Sequence, residues 1–220
     1  AWGDGRYGQV GDGIAHAEPV TTPVPSSIDS VVALASGQVH TLALREDGTV
    51  WSWGDNAQGQ LGIPSVGASN TPLSVGLTNV IEVATGGHIS AALEADGSLW
   101  TWGKPFGPPS EDERTPRRVE GRTCAHVFAA SNQLVCVDAG GEPWAASDPR
   151  GPFVVSPEYR GLIAFVQGHT LITNGGVKGF VTNNGGHSAD ALRASQIAYD
   201  IVLADQSVAW AAAHYGYAWS

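Results

Sequence analysis

The residues with the chemistry to act on a substrate or to hold a metal are few and scattered. Seven histidines stand at 16, 40, 88, 126, 169, 187 and 214, and no two of them have the spacing that sets both imidazoles on one helix face around zinc. The two cysteines, Cys124 and Cys136, do not form a C-x-x-C pair. His40 and His169 each precede Thr and Leu in the same local sequence, and such repetition points to a hydrogen-bonding role at a hairpin turn; His88 sits one place earlier in its own segment. A metal site would have to be gathered from different segments, and none is expected. Asp47-Gly48 and Asp96-Gly97 lack the D-x-D-x-D-G series of a calcium loop and read as hairpin turns. No G-x-S-x-G elbow occurs. Asn174-Gly175-Gly176 and Asn183-Asn184-Gly185-Gly186 are not followed by a helix start with Lys-Ser or Lys-Thr, so they are turns and not phosphate cradles. No catalytic residue and no cofactor is therefore assigned, and the reading leans away from an enzyme.

The remaining candidates are suited to contact. Trp-Gly-Asp is followed by Gly5-Arg6-Tyr7 near the start and by Asn56-Ala57-Gln58 later, while Lys104-Pro105-Phe106 follows Trp102-Gly103. Arg6, Tyr7, Asn56, Gln58 and Phe106 are the binding candidates, joined by Glu111 and Asp112 of the next acidic triplet and by Asn184. Tyr7 and Phe106 are the expected anchors, because aromatic side chains dominate interface energetics. The loop from Gly103 to Thr115 departs most from the surrounding pattern, and loops on one face of a repeat protein carry its binding surface. It reads either as a protruding contact or as a solvated loop whose acidic residues are balanced by Arg114, Arg117, Arg118 and Arg122.

These loops are positioned by a hairpin that recurs. In GQVHTLALREDGTVWSWGDNAQGQLG, from Gly37 to Gly62, Val39 to Leu44 is apolar and β-prone, Asp47-Gly48 is the turn and Val50 to Trp53 resumes a strand. Gly86 to Gly103, GGHISAALEADGSLWTWG, repeats it with Trp100 and Trp102 over Trp51 and Trp53. Weaker copies follow, with Gly140-Gly141 at the turn and Trp144 over Trp51, then Phe180 over Trp51, then Gly216 over Gly48 and Trp219 over Trp51. Steps between Trp51-equivalent positions are 49, 44, 36 and 39 residues. The chain stops just short of a second Trp and Gly, and Ala1-Trp2-Gly3-Asp4 supplies them.

Repeats of roughly 40 to 50 residues, each with a Trp-bearing strand, are expected to be β-propeller blades. The fold class is all-β: five blades in one domain spanning 1–220, closed by pairing of the N- and C-terminal segments, so that Trp2 completes the sheet Trp219 begins. One blade is apolar on both faces and cannot bury them alone, whereas stacked neighbours can. Trp51 and Trp53 point to one side because strand side chains alternate, so they are expected to fill the wedge between blades. Thr22-Pro23, Thr71-Pro72, Thr115-Pro116 and Ser156-Pro157 read as starts of outer strands, where Pro costs no ladder hydrogen bond. The 29 Gly and 13 Pro are turn formers.

W-G-D-x-x-x-G-Q-[LV]-G after a G-x-x-H-T-L-A-L hairpin resembles the repeat of the regulator of chromosome condensation family, the propeller of the eukaryotic Ran exchange factor. The resemblance is close over residues 1–11 and 37–103 and traceable beyond. It implies the propeller fold. That exchange factor is similar to a seven-bladed ring, whereas five repeats occur here. By resemblance, the family's activities include nucleotide exchange on a small GTPase and chromatin binding. A secreted bacterial group, similar to inhibitory proteins of class A β-lactamases, plugs an enzyme with one propeller face. No functional residue carries over, because the match rests on turn and core positions.

Formal charge is −10 with a pI near 4.9, which disfavours nucleic acid or an anionic membrane as partner. No stretch is long and apolar enough for a membrane helix. The chain starts at Ala1 and holds no Met, so a mature, processed or excised form is expected. In TCAHVFAASNQLVC, a turn near Ser131 sets Cys124 about opposite Cys136, which suits a disulfide and equally two buried thiols. A disulfide would place the protein in an oxidising compartment, secreted or at the cell surface. The leading expectation is a protein-binding propeller, an interaction or inhibitor module using loops of one face. Carbohydrate binding is the alternative, weakened because GRY, NAQ and KPF do not repeat one polar and aromatic set. An enzyme with a site at the propeller channel comes third.

Overall fold

Apolar runs broken by Asp-Gly and Gly-Gly turns fold into three four-stranded antiparallel sheets in succession. The computed structural model describes residues 1–104, 110–130, 133–146, 148, 150–155, 165–167, 170–172, 201–202, 208–209, 213–214 and 217–218. The first sheet comprises β1 (Val31–Ser36), β2 (His40–Arg45), β3 (Val50–Asp55) and β4 (Ala68–Ser74). The second comprises β5 (Val80–Gly86), β6 (Ile89–Glu94), β7 (Leu99–Gly103) and β8 (Arg117–Arg118), and the third β9 (His126–Ala130), β10 (Gln133–Val137), β11 (Pro143–Ala146) and β12 (Val154–Val155). Further along are the hairpins β13 (Phe165–Gln167) with β14 (Thr170–Ile172), β15 (Ile201–Val202) with β16 (Val208–Ala209), and β17 (Ala213–His214) with β18 (Tyr217–Ala218). No helix among the described residues is long and apolar enough to cross a membrane.

The first hairpin follows its turn chemistry. Leu44 stands opposite Val50 and His40 opposite Gly54. Between them the Asp47 carboxylate accepts the Thr49 amide at 3.0 Å, and Gly48 takes a φ of 76° that L side chains avoid. Thr71-Pro72 falls in β4, at the sheet edge and at a break in the ladder register, so the missing proline N–H costs nothing.

Strand alternation divides the core. Ile89, Ala91 and Leu93 of β6 face a cluster shared with the third sheet, including Val127, Leu134, Cys136 and Phe153. Ala92 and Trp102 face the other way, packing with Leu42, Leu44 and Val50 of the first sheet. Each sheet is thus apolar on both faces and buries them only against neighbours. Trp102 is buried between the first and second sheets and Trp53 is buried under the N-terminal segment, while Trp51 and Trp100 are partly buried along the same stripe.

Polar contacts fix the stacking register. The main-chain carbonyl of Gln60, in the loop between β3 and β4, accepts the Trp102 indole N–H at 2.9 Å and the Ser90 hydroxyl at 2.8 Å. The carbonyl of Gln9 accepts the equivalent Trp53 N–H at 2.9 Å and Thr41 Oγ1 at 3.3 Å. His40 Nε2 lies 2.8 Å from Ser90 Oγ. Because that hydroxyl spends its proton on Gln60, the imidazole donates through Nε2. His40 therefore bridges two sheets, while its main-chain carbonyl accepts the Gly37 amide at 2.9 Å across the turn between β1 and β2. His169 lies outside the described residues.

Cys124 and Cys136 form a disulfide with Cα atoms 5.5 Å apart. They are not directly opposite, as the hairpin count implied, for Cys136 faces Val127. Val137 stands opposite His126 while its carbonyl also takes the Ala125 N–H at 2.7 Å. Two successive residues meet one, and the chain folds back enough to bring Cys124 to its partner.

At the other end of the stack, Gly3 pairs with Val20 in an isolated antiparallel bridge, and Trp2 is 69% exposed. Phe180, Gly216, Trp219 and the expected contact of Trp2 with Trp219 lie outside the described residues, as does the count of five blades.

Two stability measurements follow from this packing. Gly62 has a φ of 75°, and a methyl group there would stand 3.0 Å from Trp102 Nε1, whereas Gly76, at 87°, has open space around it. Gly76→Ala should cost about 1–2 kcal/mol for the left-handed backbone alone, and Gly62→Ala about 1–3 kcal/mol more by displacing the indole; equal chemical-denaturation midpoints for the two would refute the indole contact. Reduction of the disulfide should lower stability by roughly 3 kcal/mol, as expected for a loop of this length, read as a shift of the unfolding midpoint with and without reductant.

Candidate binding surface

Because β1 and β3 run in one direction, the turn after β1 and the loop after β3 emerge at the same end of the sheet. The Asp55 amide accordingly donates to the Val39 carbonyl at 2.9 Å. The second sheet adds Gly87-His88 to this end, and the N-terminal segment adds its own copy of the loop.

The two loops, Asp4 to Gly11 and Asp55 to Gly62, share one construction. In each, the backbone amide of the third residue after Asp is held by a Gln side-chain oxygen, Tyr7 by Gln9 at 2.9 Å and Gln58 by Gln60 at 2.8 Å. Paired short-range turns close both, Gly8 to Gly5 and Gly11 to Gly8, then Gly59 to Asn56 and Gly62 to Gly59. The scaffold is common, so the projecting side chains carry the individuality.

The first loop projects the most. Tyr7 is 51% exposed, although its amide is fixed. Arg6 is held flat against Asp4, with NH2 2.6 Å from Oδ2. That guanidinium hydrogen bond keeps the exposed Asp4 carboxyl below the usual range, helped by the Arg6 amide. Gln58 is only partly exposed and its backbone carbonyl takes the Lys104 amide at 2.9 Å.

Asn56 does not face outward. Its side-chain nitrogen donates to the carbonyls of Ile63 at 2.8 Å and Val66 at 2.6 Å, and its oxygen accepts the Leu61 amide at 2.9 Å. It is fully buried and serves as the clamp of its own loop. Pattern reading missed Arg114 as the brace of that loop: its guanidinium caps the Asn56 carbonyl at 3.0 Å from across the stack. A hint was available, in that the basic residue follows the acidic triplet where a loop neighbours the preceding repeat.

Glu111 and Asp112 belong to a short 3-10 helix, Glu111–Arg114. Its Glu113 carboxylate accepts the Ser110 amide at 2.7 Å and pairs with Lys104 at 3.2 Å. Phe106 and Asn184 lie outside the described residues.

His88 completes the loop face. It is half-buried, and its Nδ1 is enclosed with no hydrogen-bond partner among the described residues. Burial lowers its pKa from the usual histidine value, and the Asp55 charge only partly offsets this. Among the described residues no group of three His, Cys, Asp or Glu side chains converges as metal ligands do.

Residues 1–44 and 47–93 match the "Regulator of chromosome condensation (RCC1) repeat" family model, and residues 31–60 match a second model of the same description. The E3 ubiquitin-protein ligase HERC2 of Homo sapiens is 38% identical over 68 residues, which is 28% of this chain and 1% of that protein. RCC1 domain-containing protein 1 of Homo sapiens is 36% identical over 66 residues, 30% of this chain and 18% of that one. Human WBSCR16 superposes with a TM-score of 0.58 and 26% identity, covering 70% of this chain and 44% of that structure. Prp20p from Saccharomyces cerevisiae, described for its binding to Gsp1p and histones, gives a TM-score of 0.54 with 24% identity over 66% of this chain and 40% of its own. The chain spans less than a fifth of these two curated relatives and less than half of these solved structures. Together they show an all-β chain bearing these repeats in the fold of their propellers.

His88 sets a pH expectation. Its folded pKa lies below the unfolded value of about 6.5, so the unfolded chain binds the extra proton, and stability is complete above that value and falls as pH drops through the folded pKa. The lowered carboxylates Asp4, Asp12, Asp47, Asp96, Asp138 and Glu113 act only below about pH 4. His88→Gln should therefore flatten the melting temperature between about pH 7 and 5, and an unchanged slope there would remove His88 as its source.

Proposed function

We propose that this chain, whose first 93 residues carry repeats of the regulator of chromosome condensation type, is a protein-binding propeller that grips its partner with the loops of one face. The observation that carries the reading is Tyr7: an aromatic side chain half-exposed on a loop whose backbone is already fixed, beside an Arg6 held in place by Asp4. Ordering such a loop costs little on binding, and Tyr and Arg are the side chains that most often dominate interfaces. The construction shared with the second loop is consistent with a scaffold kept constant while the projecting residues vary. Gln58, Phe106, Glu111, Asp112 and Asn184 are the further candidates for the same contact, in an interaction or inhibitor role.

The architecture proposed for this role is one ring of five blades over 1–220, closed by its terminal segments. Support comes from the first sheet, where Leu34 holds the place of Val83 in the second yet is 54% exposed against 8%. Val83 is covered by the preceding sheet, and Leu34 has the apolar character of a position made to be covered by the repeat containing Trp219. The Cys124–Cys136 disulfide supports a secreted or cell-surface setting, and the net charge of −10 argues against a nucleic-acid partner.

Affinity capture from the native setting, compared with Tyr7→Ala, tests the proposal. The variant should lose at least tenfold in affinity, about 1.4 kcal/mol, with an unchanged melting temperature. Equal capture by Tyr7→Ala and Arg6→Ala would remove this face, and displacement by free monosaccharide would turn the reading toward carbohydrate.

A further inference from the structure

The chain is strongly acidic, yet its positive charge is not evenly spread. Away from the loop face, where the outer edge of the second sheet meets the third, Arg117, Arg118, Arg122 and Arg150 line one pocket with Glu120 and Phe153. Its volume is about 330 Å³, at the lower end of the roughly 300–1,000 Å³ range of pockets that take organic ligands. These are four of the eleven Lys and Arg residues of the whole chain.

Arg117, Arg118 and Arg122 are held, where they are held, by contacts other than a close ion pair. Arg118 donates to Ser98 Oγ through NH2 at 2.7 Å and through Nε at 3.1 Å. The Arg122 guanidinium lies 3.6 Å from the centre of the Trp144 ring, a stacking that orders it without neutralising it. Arg150 NH2 reaches the Thr115 carbonyl at 3.3 Å, and Arg117 is exposed. Among the described residues the ion pairs involve other cations, so Arg117, Arg118 and Arg122 close none. Asp96 and Asp138 lie within electrostatic reach of Arg118 and Arg122 but are engaged by their own turns. Asp96 takes the Ser98 amide at 2.8 Å, and Asp138 takes the Gly140 and Glu142 amides at 2.9 Å and the Trp144 indole at 3.1 Å.

We infer that this pocket is a second contact site, which receives an acidic side chain and its adjoining backbone from a protein partner. Guanidinium forks match carboxylate oxygens two at a time, and planar groups already stacked or hydrogen-bonded lose little freedom on pairing. The size of the pocket and the Phe153 wall beside the arginines fit a peptide segment better than a bare ion. The net charge of −10 disfavours acidic partners in general, so a basic cluster also orients their approach. This inference deepens the protein-binding reading and depends on it for the kind of partner.

The test is a titration of the full chain with a fluorescently labelled hexaglutamate peptide, followed by anisotropy at low and physiological salt, with a hexaserine peptide as control. Hexaglutamate should bind, weaken as salt rises and lose at least tenfold in the double variant Arg117→Gln/Arg122→Gln, while Arg45→Gln, remote from the pocket, should bind as the parent does. Arg117→Gln alone, at an exposed side chain with no side-chain partner among the described residues, should weaken binding without moving the melting temperature, which keeps the test valid if the double variant unfolds. Undiminished binding by both variants overturns the site. Competition by inorganic phosphate at the same concentration as the peptide overturns the peptide assignment. Failure here with Tyr7-dependent capture intact would leave the loop-face proposal standing.

Discussion

One main-chain oxygen holds consecutive sheets in register. The Gln60 carbonyl receives an indole N–H and a hydroxyl from the next sheet, and Gln9 receives the corresponding pair one repeat earlier. A carbonyl buried without partners would cost on the order of 1–3 kcal/mol, so a sheet that slid past its neighbour would expose that cost on both sides. Hydrophobic contact supplies most of the attraction but is indifferent to direction. The paired donors turn a greasy stack into one with a single alignment, and the loops acquire fixed positions from it.

The third sheet departs from this arrangement in a coordinated way. Where the second has Ser90 and Trp102, the third has Leu134 and Ala146, both buried, and the Gly-Gln-Leu-Gly loop that would have offered the acceptor is replaced after Gly103. Donors and acceptor are thus replaced together in the sequence. The same sheet carries the Cys124–Cys136 bond, a covalent constraint where the polar one is missing, and the stacked Arg122 and Trp144 along its flank.

Much of this was legible in the residues themselves. Turns at Asp47-Gly48 and Asp96-Gly97, the shared side of Trp51 and Trp53, and the edge position of Thr71-Pro72 follow from local rules whose causes lie within a few residues. What escaped was long-range or irregular. The Ser90 partner of His40 is fifty residues away, and Asn56 looked like a loop tip because sequence does not show that three backbone groups of its own loop converge on it. Cys124 and Cys136 were read with the turn placed too early; the ladder pairs Gln133 with Ala130 and so sets Val127 opposite Cys136, yet the two cysteines still bond. The arginine cluster was visible as charge, but its convergence depends on two outer strands meeting and on Arg150, which lies far along the chain.

Donor and acceptor of each lock belong to different repeats, the oxygen to one and the indole to its successor. Excising one whole period, from Gly54 to Trp102 for instance, would remove the Gln60 oxygen together with its Ser90 and Trp102 donors and leave the Gln9 lock with both of its own, whereas a cut that takes only part of a period can strand half of a lock. A chain built this way can lengthen or shorten by whole periods without leaving a buried oxygen or indole unmatched at the seam.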